Sequence, residues 1–133
     1  MKINHLAIAV PDIEAALSFY RDGLGLELQG IETVEREGVK VAFLPLGESH
    51  IELVEPICSD TGIAKWMGKH GQGMHHVCIQ VEDISATLAR LQAKGVELIN
   101  PQPVLRENGT RYAFIHPRST FGVLVELYEI ASS

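Results

Sequence analysis

Cysteine is scarce in this chain: Cys58 and Cys78 stand alone among 133 residues. Two thiols cannot build a disulfide framework, so reduced cysteines in a cytoplasmic protein are the expectation. Basic residues are in deficit too, 11 Lys and Arg against 17 Asp and Glu, for a net charge of −6. That balance argues against a dedicated nucleic-acid binder, which presents a basic surface. No apolar run reaches the ~18–20 residues of a bilayer span. The opening "MKINHLAIAVPD" has one Lys and no small-residue cleavage pattern, so no secretory leader is expected. Low-complexity tracts are missing as well. What remains, 46% hydrophobic and 21% charged residues, is the composition of a globular small-molecule protein. The length suits one compact domain, or two small modules sharing a core.

The chain repeats itself. "HLAIAVPDIEAALSFYRDGLGLEL" from His5 lies over "HVCIQVEDISATLARLQAKGVELI" from His76. His meets His, Asp12 meets Asp83, Ile13 meets Ile84, Ala16 meets Thr87 and Leu17 meets Leu88, an offset of 71 (76 − 5). Of the adjacent His75 and His76, the second is therefore the repeated one. Each copy opens with an alternating stretch suited to a half-buried strand. Asp12 or Asp83 then offers an N-cap, and apolar residues follow at helical spacing (Ile13, Ala16, Leu17, Tyr20; Ile84, Thr87, Leu88, Leu91). Gly23 and Gly95 stand where each helix should stop.

Three strand-like runs follow each helix: "LELQGIETV", "VKVAFLPLG" and "SHIELVEP", then "VELIN", "TRYAFIHP" and "VLVELYEI". "IELVE" and "VELYE" align Glu52 with Glu126, an offset of 74 (126 − 52). Each half reads as a βαβββ module. The first covers about 1–56 and the second about 74–130. The connector, about 57–73, holds a short helix around Ile63–Lys69 and a Gly-rich turn. One helix on a half sheet cannot bury both faces. The expectation is an α+β fold in which the two tandem modules form one curved eight-stranded sheet, helices outside, around a cleft, as a single domain over 1–133.

His5, Glu52, His76 and Glu126 occupy repeat-equivalent places on the first and fourth strands of the modules. Taken singly, a histidine at a strand start is more often a hydrogen-bonded structural residue, and a glutamate in an alternating strand a solvent-facing one. Together, two imidazoles and two carboxylates form a donor set for a divalent metal such as Co, Ni, Mn or Zn rather than Ca. Open positions would remain for water or a bidentate substrate.

With these residues in place, the chain resembles the vicinal oxygen chelate superfamily and, within it, the methylmalonyl-CoA epimerase family over nearly its full length. The phrases that carry the resemblance are "NHLAIAVPDIEAALSFYRDGLGLEL", "VAFLPLGESHIELVEP", "IAKWMGKHGQGMHHVCIQVEDI" and "FIHPRSTFGVLVELYE". It implies a metal-containing cleft with His5, Glu52, His76 and Glu126 as ligands, most readily for Co2+. The implied reaction is epimerisation of (2R)- and (2S)-methylmalonyl-CoA by 1,1-proton transfer through a metal-stabilised enolate; the repeat-related position of Glu52 and Glu126 makes these two the expected catalytic acid/base pair. One departure stands out. Some epimerases have Gln at the position of Glu52 and a catalytic Glu at that of Val41; here Val41 cannot move a proton and Glu52 can.

An acyl-CoA substrate brings phosphates to an acidic protein, so local cations should meet it: Lys65, Lys69 and His70 in the connector, and Arg111 and Arg118 near the last hairpin. His116 is a candidate for the substrate carboxylate, with turn capping as its other role. His75 and Trp66 read as structural, and Cys78 as a small apolar residue on the side of His76. A homodimer is expected, with no nucleic-acid or membrane partner. Two alternatives share the fold. Glyoxalase I has the same His/Glu/His/Glu ligands, and metal-free binding proteins of the superfamily need none of them. A dioxygenase fits less well, because two histidines and one carboxylate are its usual set.

Overall fold

The structure, a computed structural model, describes residues 1–131. Its strands and helices are β1 (Lys2–Ala9), α1 (Ile13–Leu17), β2 (Gly30–Val34), β3 (Val39–Leu46), β4 (Ser49–Pro56), α2 (Gly62–His70), β5 (Gly73–Gln80), α3 (Ile84–Ala93), β6 (Val104–Leu105), β7 (Arg111–Ile115) and β8 (Val125–Glu129). The fold is α+β, and the βαβββ grammar of the sequence is present twice. The chain divides into two compact units, His5–His75 and the chain from His76 onward with Met1–Asn4. No helix among the described residues is long and apolar enough to cross a membrane.

In the first unit the strands run β2-β3-β4-β1, with β1 parallel to β4 and the rest antiparallel. Ile13 and Leu17 of α1 pack with Val10, Ala42, Leu44, Ile51 and Leu53 on one face of this sheet. On the other face Ala7, Ala9, Val39, Val41 and Val54 pack with Ile63 of α2. In the second unit the order is β5-β8-β7-β6, again with one parallel pair, β5 and β8. Ile84 and Leu88 of α3 there meet Val81, Ala113, Ile115 and Leu127.

The helix starts are built alike. Asp12 accepts from the Glu14 N–H and Asp83 from the Ala86 N–H, each closing the N-terminus of its helix. A second carboxylate reaches each start from the fourth strand: Ile13 N donates to Glu55 at 2.7 Å and Ile84 N to Glu129 at 2.9 Å. The last glutamates of "IELVE" and "VELYE" are therefore helix anchors, favoured by the positive end of the helix.

The helix ends differ, and chain length is the reason. Thirteen residues separate Asp12 from Gly25 (25 − 12), but twelve separate Asp83 from Gly95 (95 − 83). Both glycines have positive φ, 93° and 83°. The first helix takes in the extra residue by widening into a π-helical segment, Ser18–Gly23, where Leu24 N reaches back five residues to Phe19 O at 2.7 Å.

Two strand expectations need correction. "LELQGIETV" forms a strand only from Gly30, because Leu26 N closes the π-helical segment by donating to Tyr20 O. "VELIN" is no strand apart from an isolated bridge, Leu98 to Ile115. Its Val96 and Leu98 pack on the core, while Asn100 Oδ1 takes the Phe114 N–H in place of a strand partner. The hydrogen-bonded strand lies beyond Pro101 and Pro103, two residues without an N–H to give a ladder.

Candidate metal centre

Strand register places one histidine and one glutamate together in each unit. On β1 and β4, His5 stands opposite His50 and Ala7 opposite Glu52; on β5 and β8, Cys78 stands opposite Glu126. Ala7 and Cys78 are repeat-equivalent, fully buried and small, which leaves space above them for the glutamate facing each.

In the first unit, Glu52 Oε2 lies 3.3 Å from His5 Nδ1 and accepts a 2.8 Å hydrogen bond from His50 Nε2. The two imidazoles are stacked, with centroids 5.0 Å apart and planes at 30°. Potential ligand atoms of His5, His50 and Glu52 all lie within 4.8 Å of one another. In the second unit, Glu126 Oε1 lies 3.1 Å from His76 Nε2. Glu126 is 2% exposed, and a carboxylate that deep keeps its charge only with partners. Its second oxygen faces Arg106 Nη2 at 3.6 Å. The His76 ring meets Phe114 edge-on, with centroids 5.5 Å apart.

Each unit thus offers a buried or half-buried imidazole touching a carboxylate, the mixed N/O donors that a borderline divalent metal takes. The residues present fit such an ion. His5, Glu52, His76 and Glu126 would be the ligands, and His50 is a further nitrogen at the first pair. Val41 lies among Ala7, Ala9, Val39, Val54 and Ile63, and stands opposite Glu32 of β2; its own side chain carries no acid or base. Cys58 is exposed and gives its S–H to Asp60 at 2.7 Å. That hydrogen bond raises the thiol above its ordinary pKa and makes it less of a nucleophile.

The remaining candidates fall into two groups. Lys65 and Lys69 are exposed on α2, four residues apart and so on one helical face, and Arg111 is exposed at the start of β7. His116 caps a short 3-10 turn, its Nδ1 accepting from Arg118 N at 3.0 Å. Arg118 pairs with Glu97 at 3.0 Å. Trp66 stacks on His70, with centroids 4.8 Å apart, and His75 meets it edge-on at 4.7 Å, the structural roles expected of Trp66 and His75.

Three features escaped sequence reasoning. His50 had a signal, since two residues before Glu52 on a strand is the same face. Glu55 and Glu129 had one in their repetition. Arg106, in the turn after β6, had none.

Comparison with known proteins shows what the chain and its fold resemble. Residues 4–114 match the sequence profile of the Glyoxalase/Bleomycin resistance protein/Dioxygenase superfamily. The mitochondrial methylmalonyl-CoA epimerase of Mus musculus is 41% identical over 127 residues, covering 95% of this chain and 71% of the mouse protein. The crystal structure of a hypothetical protein from Bacillus halodurans superposes with a TM-score of 0.93 at 43% identity, over 99% of this chain and 96% of that one. A Streptomyces coelicolor methylmalonyl-CoA epimerase variant, in complex with 2-nitronate-propionyl-CoA, gives 0.88 at 35% identity, over 99% and 96%.

Proposed function

The chain belongs to the Glyoxalase/Bleomycin resistance protein/Dioxygenase superfamily, and from that premise we propose that it epimerises methylmalonyl-CoA at C2 with the help of a divalent metal. The observation that supports this most is the recurrence of one His–Glu contact at equivalent places in both units, His5 with Glu52 and His76 with Glu126, one member of each pair buried. The kinship with named epimerases supplies the substrate class.

In this reading the two pairs are halves of one ligand set, as the repeat and the family imply, and the chain works as one domain. His5, Glu52, His76 and Glu126 would hold a divalent ion, Co2+ or alternatively Ni2+, Mn2+ or Zn2+, which would polarise the thioester carbonyl and so lower the cost of removing the α-proton. His5 and His76 hold the set in place. Glu52 and Glu126 take the proton from one face of the carbon and return one to the other, each face served by one carboxylate. Val41 leaves Glu52 as the base on its side. Lys65, Lys69 and Arg111 meet the CoA phosphates, and His116 assists the substrate carboxylate. The enzyme acts in the cytoplasm as a homodimer.

The test is proton NMR of (2R)- or (2S)-methylmalonyl-CoA in D2O. Rapid loss of the α-proton signal, abolished by EDTA and restored by Co2+, is the expected result. No exchange above the blank with metal bound would discard the epimerase and bring glyoxalase I forward.

A further inference from the structure

We propose that Arg106 is a positioning residue for Glu126: its guanidinium engages Oε2 and leaves Oε1, the oxygen beside His76, as the one presented to a metal. The inference rests on the reading of Glu126 as a ligand and deepens it. Arg106 Nη2 lies 3.6 Å from Oε2, while His76 Nε2 lies 3.1 Å from Oε1. The two oxygens of one buried carboxylate are thereby assigned to different partners.

The guanidinium is itself held. Its Cζ lies 4.3 Å above the centroid of the Tyr112 ring and 5.9 Å from that of Tyr128, the two tyrosines being paired across β7 and β8. Glu126 is two residues from Tyr128 on β8, on the same face. The backbone below is a closed turn: Arg106 N donates to Thr110 O at 2.8 Å, and Gly109 N donates to Arg106 O at 3.0 Å. Asn108 Oδ1 accepts from both N and Oγ1 of Thr110, and Tyr128 OH donates to Thr110 Oγ1. A planar fork seated on an aromatic face loses little freedom when it engages a carboxylate, which a lysine could not match.

The first module has no counterpart. Its matching turn places Glu35 where Arg106 stands, since Gly38 N donates to Glu35 O as Gly109 N does to Arg106 O. Glu35 is exposed. The charge on Glu126 is therefore shared with a permanent cation, and that on Glu52 is not. Sharing weakens Glu126 as a ligand and keeps it from offering both oxygens to one ion.

The test is Co2+ titration of the apoprotein, followed by calorimetry and by the visible Co2+ spectrum, in Arg106→Gln, Arg106→Met and Arg106→Lys. Either neutral variant suffices if it folds. Removing the cation should tighten Co2+ binding about five- to tenfold. It should also dim the visible bands as the coordination number rises, and lower kcat about tenfold with KM unchanged. Arg106→Lys keeps the charge and should stay within about twofold of wild-type affinity. Unchanged or weaker Co2+ binding in the neutral variants, with a wild-type spectrum, would overturn the role of Arg106. Should both neutral variants fail to fold, a Lys variant whose spectrum shifts, the charge kept but the fork lost, would support the positioning role, and one that keeps both the wild-type spectrum and affinity would overturn it. A wild-type protein that takes up no Co2+ would instead refute the four-ligand reading itself.

Discussion

In the first module the glutamate of the fourth strand is held by two imidazoles, His5 and His50. In the second, the His76 imidazole and the Arg106 guanidinium lie against it. The position of His50 corresponds to Leu124, two residues before Glu126. At their helix starts and parallel strand pairs the modules agree closely. Both helices start on an aspartate and a fourth-strand glutamate, and both glutamates face a small residue across a parallel pair. The frame of the repeat is kept while the surroundings of its two carboxylates diverge. That pattern suits a reaction in which two like groups do unlike work, one accepting a proton as the other donates it.

The comparison can be broken at three depths. Leu17 and Leu88 are equivalent core residues under their own helices, both within 2% of full burial. Leu17→Ala and Leu88→Ala should each cost ~2–5 kcal/mol in chemical denaturation. A much smaller cost for one would mean that its module is loosely packed. Next, His50→Leu gives the first module the residue of the second. Removing a partner of Glu52, the ligand proposed for the first module, should cost ~10–100-fold in metal affinity or turnover. No change in either would make His50 a bystander. Smallest, Glu55→Ala and Glu129→Ala should each lower stability by about 1–2 kcal/mol, nearly equally, through a lost charge-assisted bond at a helix start. Unequal thermal shifts would show that the two anchors are not equivalent.

Much of this was legible in the sequence. The repeat fixes strand identity, and strand alternation puts His5 with Glu52 and His76 with Glu126 once β1 and β4, or β5 and β8, are paired. The N-caps were readable because an aspartate before an apolar helical pattern has a single common use. The false strand in "VELIN" shows the limit: a segment can bury Val96 and Leu98 and bond its backbone to β7 irregularly, with the Asn100 side chain taking the Phe114 N–H that a strand carbonyl would take. The π-helical segment was visible only as one surplus residue. Arg106 was invisible because a turn residue's reach depends on how the hairpin carries it, and no periodicity encodes that.

The central claim is that each glutamate serves one face of the substrate. It is tested most directly by following α-proton exchange in D2O for (2R)- and (2S)-methylmalonyl-CoA separately, with metal-loaded Glu52→Gln and Glu126→Gln. The account predicts that neither variant inverts the centre. Each should still exchange the proton of one isomer with retention, and the two variants should act on opposite isomers. If Glu126→Gln binds metal normally and exchanges both isomers at the native rate, the two-glutamate account is wrong.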